Sequence, residues 1–313
     1  MDLRENDIVA CVGSGTIGSA WAALFASRGL QVNVYDPSAD AEVVLRSMAA
    51  RAACALKRPA EELLCRLKFT ADLEEALRGV SFVQESGPES LALKQRLYAD
   101  LDRLLPPAIV IASSTSDLPI SSIQAHCLHP ERTVVGHPIN PPYAVALVEV
   151  VGGGRTSAAT IERACAFYRA LGRMPLRLDR EAPGFVANRL QMALLREALQ
   201  MVAHGEATIA QVDFALMHGI GVRWAAVGMF GAYFLNLPDR DVNAWLDHFE
   251  SFNCGESIVH TEPFPDWSQQ LRAAIASQWQ ARVEQAGADA LLRERDAVAI
   301  EFARRVRTSD CNS

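Results

Sequence analysis

The stretch that decides the fold is Ile8-Val9-Ala10-Cys11-Val12-Gly13-Ser14-Gly15-Thr16-Ile17-Gly18. Its apolar start predicts a buried strand, its glycines predict a tight turn, and the apolar side chains of residues 21–30 recur at helical spacing. A strand, a G-x-G-x-x-G turn and a helix in this order are typical of a dinucleotide site, where the first amides of the helix face the pyrophosphate. An ordinary structural turn is the alternative.

Asp36 favours the binding site over an ordinary turn and indicates which dinucleotide it takes. It ends the second predicted strand, where a carboxylate can bind both hydroxyls of an adenosine ribose. Pro37 and Ser38 follow without an arginine that could accept a 2'-phosphate, and the carboxylate would repel that phosphate. The sequence therefore predicts NAD rather than NADP, bound by Gly13, Gly15, Thr16, Ile17, Gly18 and Asp36.

Further apolar runs alternate with helical patterns along the first half of the chain. They cover residues 80–83, 108–112, 133–135 and 147–151, and residues 174–178 are predicted as a last strand. This alternation predicts an α/β fold with a Rossmann-type, doubly wound and mostly parallel sheet in residues 1–180. From Pro183 onward the apolar spacing is helical, which predicts a smaller all-helical domain in residues 181–313.

Composition excludes several classes of protein. The net charge of −7 and the lack of a basic stretch argue against a nucleic-acid partner. No apolar run reaches the roughly 18 residues that a membrane span needs, and residues 1–7 are too charged for a signal peptide. The seven cysteines form no C-x-x-C pair, which is typical of a reduced protein. We therefore expect a cytoplasmic chain.

His137 and Glu149 form the candidate acid–base pair. Glu149 lies in the apolar run Leu147–Val151, where an unpaired carboxylate would be costly, and His137 is its expected partner. An imidazole can take a proton from an alcohol near neutral pH, while a carboxylate orients it. A buried structural histidine is the alternative, but beside a dinucleotide site the pair predicts alcohol oxidation. The other histidines lack zinc-like spacing, so we expect no metal.

Two further positions have two interpretations each. Ser116 ends the polar run after a predicted strand, where it can be a solvated strand end or a helix cap. With His137 and Glu149 it also suggests a hydrolase triad, but the chain lacks a G-x-S-x-G elbow. Arg223, beside Trp224, is either a guanidinium that binds a substrate carboxylate or a surface arginine next to a buried aromatic ring.

Over nearly its whole length the sequence resembles the L-3-hydroxyacyl-CoA dehydrogenase superfamily, and most closely its branch with lambda-crystallin (L-gulonate 3-dehydrogenase) and L-carnitine dehydrogenase. The resemblance depends on several motifs in order: the glycine turn, Gln84-Glu85-Ser86 with Glu89 and Lys94, Ser113-Ser114-Thr115-Ser116, His137-Pro138-Ile139-Asn140-Pro141-Pro142-Tyr143, Leu147-Val148-Glu149, and Pro183-Gly184-Phe185-Val186-Ala187-Asn188-Arg189-Leu190.

The resemblance implies roles for these residues. His137 is the general acid/base, Glu149 orients it, and Ser116 and Asn188 bind the substrate oxygen. Glu89, Lys94 and Asn140 hold the nicotinamide half of NAD. The helical domain forms a homodimer, and NAD takes hydride from the carbon that bears the 3-hydroxyl. A structural, crystallin-like role is the non-enzymatic alternative, and the intact His137, Glu149, Ser116 and Asn188 argue against it.

The substrate is predicted from departures within the superfamily. Between Asp36 and Phe82 there is room for only a short helical insertion, which disfavours a bulky CoA thioester, whereas Arg223 and Trp224 suit a small free acid. For the trimethylammonium group of L-carnitine, parts of an aromatic cage are offered by Tyr143, Trp224, Phe230, Tyr233 and Phe234. Residues 190–202, however, contain no aromatic ring where the carnitine enzymes have tryptophan. We therefore expect a gulonate-like free L-3-hydroxy acid, with L-carnitine and a short 3-hydroxyacyl-CoA as alternatives.

Overall fold

A computed structural model describes residues 7–38, 40–235, 268–271, 273, 277, 284–285 and 287–310. The chain divides into two compact units, Met1–Val186 with Leu292–Ser313, and Ala187–Leu291. No helix among the described residues is both long and apolar enough to cross a membrane.

The described part of the first unit contains an eight-stranded sheet in the order β3-β2-β1-β4-β5-β6-β7-β8. Neighbouring strands are parallel except for β6 and β7, which run antiparallel. The predicted α/β fold with a mostly parallel sheet is therefore confirmed. The strands are β1 (Ile8–Val12), β2 (Gln31–Tyr35), β3 (Leu67–Thr70), β4 (Phe82–Glu85), β5 (Val110–Ser113), β6 (Thr133–Pro138), β7 (Leu147–Val151) and β8 (Met174–Leu178).

Helices pack on the sheet and make up the second unit where it is described. In the first unit Ser157 caps α7 through a hydrogen bond from the Thr160 amide. The helices are α1 (Thr16–Ser27), α2 (Ala41–Leu56), α3 (Ala60–Leu64), α4 (Leu73–Ala76), α5 (Leu91–Leu104), α6 (Ile120–Ile123), α7 (Ala158–Ala170), α8 (Ala187–Ala203), α9 (Ile209–Ala215), α10 (Gly221–Phe234, interrupted at Gly228) and α11 (Ala288–Asp310).

The segment between β2 and β4 differs from the sequence-based expectation. It contains strand β3, which pairs with β2 at the end of the sheet order. The four residues of this strand, Leu67-Lys68-Phe69-Thr70, do not form an apolar run. Lys68 is exposed and the other three residues are only partly buried. Before it, α2 and α3 supply Leu45, Met48 and Leu63 to the core that covers this face of the sheet. The insertion is therefore part of the packed core.

The end of the chain also differs from the predicted division at residue 180. Leu292–Ser313 belongs to the same unit as the sheet, whereas the sequence pattern predicts it in the helical domain. Ala299 and Ile300 of α11 pack against the core of the sheet domain, and Asp296 of α11 is buried there. Tertiary packing of an apolar helix face, rather than proximity in sequence, places this helix.

Candidate active site

The glycine turn has the geometry that a pyrophosphate needs. Gly13 adopts a φ of 98°, and a Cβ there would lie 2.7 Å from the Ser86 carbonyl oxygen. A Cβ on Gly18 would lie 1.8 Å from the Gly13 oxygen, so both positions require glycine. At Gly15, which precedes α1, a Cβ would meet no atom within 4 Å. Space is therefore open at the helix start, where backbone amides can bind an anion.

Asp36 lies next to this turn. Its carboxylate accepts hydrogen bonds from the backbone amides of Ser14 at 2.8 Å and Ser38 at 3.0 Å. The Gly13 amide donates to the Tyr35 carbonyl at 2.8 Å, which joins the turn to the end of β2. The carboxylate is thus held at the edge of the nucleotide site, where it can bind a ribose and would repel a 2'-phosphate. These residues fit NAD.

His137 and Glu149 face each other across the antiparallel strands β6 and β7, as direct partners in the register. Nδ1 of His137 lies 2.8 Å from Oε2 of Glu149, and both side chains are buried. The other carboxylate oxygen of Glu149 accepts a hydrogen bond from the Val186 amide at 2.9 Å. The Phe185 ring packs 5.4 Å from the imidazole. This arrangement directs Nδ1–H to the carboxylate and leaves Nε2 for proton exchange.

Phe185 is held in an unusual backbone conformation next to this pair. Its φ is 47°, in the left-handed region that bulky side chains rarely adopt. Its side chain is nevertheless buried, and its amide donates to the Ala182 carbonyl at 3.0 Å. Such strain is often found where a structure positions a functional group.

The Lys94 side chain is buried and binds other residues of the protein. Its ammonium group is buried and donates to Oε1 of Glu85 at 2.7 Å and to the Gly87 carbonyl at 3.2 Å. Glu85, fully buried at the end of β4, also accepts from the Ser113 hydroxyl at 2.6 Å. Glu89 lies 3.6 Å from the same ammonium and is more exposed. The Lys94 side chain therefore connects a buried carboxylate to one at the edge of the site.

Glu89 is held as a carboxylate. Burial opposes its ionisation, but the Thr115 hydroxyl, the Lys94 charge and the amides that follow outweigh burial, so the pKa of Glu89 is lowered. One of those amides belongs to Ser116 and donates to Glu89 at 3.0 Å. The structure thus brings Ser116, Glu89 and Lys94 together. Asn140 is exposed in the loop after β6.

Three further candidates lie in the second unit. Asn188 is on α8, two positions after Val186, whose amide binds Glu149. Arg223 and Trp224 are on α10, where Arg223 is exposed and Trp224 half-buried.

Tyr143 is not available for an aromatic cage, because it is buried and its hydroxyl donates to Asp296 at 2.7 Å. The expectation that Tyr143 offers part of a cage is therefore wrong.

Several polar residues around the site were not identified as functional from sequence. Glu85 and Gln84 lie in a buried strand, where polar side chains need partners, and this was the available signal. Asp296 had no such signal, since α11 is rich in charged residues. Among the described residues no group of three or more histidine, cysteine or acidic side chains is arranged to hold a metal.

A nucleotide-binding sheet that also presents a buried histidine–carboxylate pair defines an NAD-dependent dehydrogenase that acts on CH–OH groups. Residues 8–182 match the family model of the 3-hydroxyacyl-CoA dehydrogenase NAD-binding domain, and residues 184–254 match the C-terminal domain of the same family. The chain belongs to the 3-hydroxyacyl-CoA dehydrogenase family.

Relatives and solved structures agree with this assignment. The chain is 43% identical to an L-carnitine dehydrogenase of Streptomyces griseus, over 95% of this chain and 89% of the relative. It is 44% identical to one from Pseudomonas putida, over 79% and 78% of the two chains. Among solved structures, a 5-formyl-3-hydroxy-2-methylpyridine 4-carboxylic acid 5-dehydrogenase is 26% identical with a TM-score of 0.74, covering 97% and 98% of the two chains.

Proposed function

We propose that the protein oxidises the 3-hydroxyl of a free L-3-hydroxy acid of the L-carnitine type, with NAD as the acceptor. The observation that carries this proposal is the similarity to L-carnitine dehydrogenases over nearly the whole chain. The sequence-based preference for a gulonate-like acid gains no support from these relatives. It remains the second candidate, because α8 contains no aromatic side chain that could face a trimethylammonium group.

The His137–Glu149 pair carries the proton step in this proposal. When bound, NAD would supply the hydride acceptor for the carbon that bears the hydroxyl, and Nε2 of His137 takes the hydroxyl proton. The Glu149 carboxylate, at 2.8 Å from Nδ1, stabilises the imidazolium that forms. In the reverse direction the same nitrogen returns the proton to the carbonyl oxygen.

The other roles follow from position and from the family resemblance. The start of α1 and Asp36 bind the adenosine half of NAD, while Glu89, Lys94 and Asn140 hold the nicotinamide half. Ser116 and Asn188 donate hydrogen bonds to the substrate oxygen. We assign the substrate carboxylate to Arg223, with Trp224 beside it, since a guanidinium suits a free carboxylate better than a thioester.

We also propose a homodimer formed through the helical unit, in a reducing compartment such as the cytoplasm. Large apolar side chains on α8 and α10 are exposed in the single chain, including Leu190 at 52% and Phe230 at 67%. Apolar surface of this kind favours burial between subunits. The described cysteines are free thiols. Light scattering after size-exclusion chromatography tests the dimer.

The experiment for the reaction is the initial rate of NADH formation with L-carnitine, L-gulonate, L-3-hydroxybutyrate and L-3-hydroxybutyryl-CoA. We expect L-carnitine to give the highest kcat/KM, and we expect NADP to replace NAD poorly. A higher kcat/KM with L-gulonate would establish the second candidate. Turnover of the thioester alone would refute both. Arg223→Met should raise KM for the best free acid, with Arg103→Met, at an exposed arginine of α5, as a surface control.

A further inference from the structure

A chain of side-chain hydrogen bonds through the sheet domain ends at Ser86, next to the glycine turn. It runs from Tyr168 on α7 to Gln84 on β4, then to Ser114 after β5, and finally to Ser86 after β4. Tyr168 and Gln84 are fully buried. Each hydrogen in this chain can be assigned, because two groups that flank it have one role only: the Gly136 carbonyl can only accept, and the Trp21 indole can only donate.

The orientation of the Gln84 amide is determined first. A backbone carbonyl can only accept, so the Gln84 nitrogen must face the Gly136 carbonyl, which lies 3.3 Å away. The same nitrogen lies 2.8 Å from the Ser114 hydroxyl oxygen. The amide oxygen accepts from the Tyr168 hydroxyl at 2.6 Å. Gln84 therefore donates to Ser114.

The direction of the Ser114 hydroxyl follows. The indole nitrogen of Trp21 can only donate, and it lies 3.1 Å from the Ser114 oxygen. Trp21 and Gln84 thus occupy both lone pairs of that oxygen. The Ser114 hydrogen then goes to Ser86, whose hydroxyl oxygen is 2.8 Å away. Ser86 accepts this bond, and its own hydrogen must point to another acceptor.

The surroundings of Ser86 indicate where that acceptor lies. Ser86 is partly exposed at the carboxyl end of β4, and its Cβ lies 3.3 Å from the position that a Cβ on Gly18 would take. Its backbone carbonyl oxygen would lie 2.7 Å from a Cβ on Gly13, in the same turn. Among the residues that the structure describes, the Ser86 hydroxyl has a hydrogen-bond partner in Ser114, which is the donor in that bond, and no acceptor for the Ser86 hydrogen is found. The hydroxyl is therefore next to the path of a dinucleotide across the turn.

We propose that the Ser86 hydroxyl donates a hydrogen bond to an oxygen of bound NAD, on the pyrophosphate or on the ribose of the nicotinamide half. Both groups present oxygen acceptors. The chain from Tyr168 sets the direction of the donor before the cofactor arrives, so little rotational freedom is lost on binding. Ser86 is a cofactor-binding residue in this proposal.

The test is the dissociation constant of the purified protein for NAD, measured by calorimetry without any hydroxy acid. Its outcome does not depend on which substrate the enzyme takes. We expect Ser86→Ala to bind NAD about tenfold more weakly, equivalent to about 1.4 kcal/mol. ADP-ribose and ADP then locate the acceptor. An equal loss for both assigns the pyrophosphate, and a loss for ADP-ribose alone assigns the ribose.

Two variants separate this role from an effect on folding. Ser86→Cys keeps the shape of the side chain but is a weak donor, so it should weaken NAD binding as Ser86→Ala does. Ser81→Ala removes a hydroxyl at the other end of the same strand, where Ser81 donates to the Ile8 carbonyl, and should leave NAD binding unchanged. Wild-type affinity in Ser86→Ala or Ser86→Cys, or an equal loss in Ser81→Ala, would overturn the proposal.

Discussion

The Tyr143 hydroxyl donates a 2.7 Å hydrogen bond to the Asp296 carboxylate, and both side chains are buried. Tyr143 belongs to the loop between β6 and β7, and Asp296 belongs to α11, so this bond fastens the C-terminal helix to the loop that follows His137. Burial, the hydrogen bond to Asp296 and the charge of Asp296 raise the pKa of Tyr143, which therefore stays a donor.

Removing either partner of this bond should destabilise the fold. We expect Tyr143→Phe to lower the free energy of unfolding by about 1–2 kcal/mol, because the buried Asp296 loses a donor. Asp296→Asn should cost a similar amount. Urea unfolding of both single variants and of the double variant measures the coupling. Additive losses would show that the two side chains do not interact.

The proposed acid–base pair, His137 and Glu149, predicts variants that lose turnover but still bind the cofactor. His137→Ala should lower kcat by about 10²–10⁴-fold, since proton transfer loses its base. Glu149→Gln should lower kcat by less, because the imidazole keeps its place but loses the charge that stabilises its protonated form. NADH fluorescence titration should give a dissociation constant within about twofold of wild type for both. Wild-type kcat in His137→Ala would contradict the mechanism.

Asp36 should determine the choice between NAD and NADP. Asp36→Ser removes the carboxylate that repels a 2'-phosphate, so we expect NAD to bind at least about tenfold more weakly and NADP to bind more tightly. Asp40→Ser is the matched control, because Asp40 precedes α2 and makes no side-chain cap hydrogen bond. Titrations with both dinucleotides measure the effect. An unchanged NADP affinity in Asp36→Ser would contradict this role.

The buried ion pair of Lys94 with Glu85 should matter far more for stability than pairs at the surface. Lys94→Met leaves the Glu85 carboxylate buried without its cation and should cost about 3–5 kcal/mol. Glu42→Ala breaks an exposed pair with Arg46 and should cost less than about 1 kcal/mol. The double variant Glu85→Leu/Lys94→Met should lose less than Lys94→Met alone. Chemical denaturation of the wild type and of these variants measures the differences in the free energy of unfolding.

The lowered pKa of Asp102 predicts that the fold loses stability in acid. Burial opposes its ionisation, but the hydrogen bonds from Arg132 and from backbone amides outweigh burial and lower its pKa. A carboxylate with a lowered pKa stabilises the fold above its unfolded pKa of about 4, and this contribution falls away as the pH drops through the folded value. Melting temperatures from pH 7 to pH 3 should therefore fall more steeply in wild type than in Asp102→Asn. Parallel curves would exclude Asp102 as a cause.

Much of the sheet domain was predictable because its signals are local. The apolar runs of β1 and β7, the alternating pattern of β2 and the glycine turn before α1 each depend on residues that are adjacent in sequence. Strand β3 was not predictable, since it is short, partly exposed and paired only with β2 within the described sheet. The pairing of His137 with Glu149 was predictable because a carboxylate in an apolar strand needs a partner.

The sequence by itself determined the fold class, the dinucleotide turn with Asp36 and the histidine–glutamate pair, since each results from local pattern or from the cost of an unpaired buried charge. The tertiary structure alone decided that Asp296 binds Tyr143, that Lys94 is held by Glu85, and that the hydrogen bonds of Trp21 and Gln84 direct the Ser86 hydroxyl. Each of these contacts joins side chains from different elements of the fold. Which of many polar side chains become neighbours depends on how the helices pack on the sheet, and no local pattern encodes that packing.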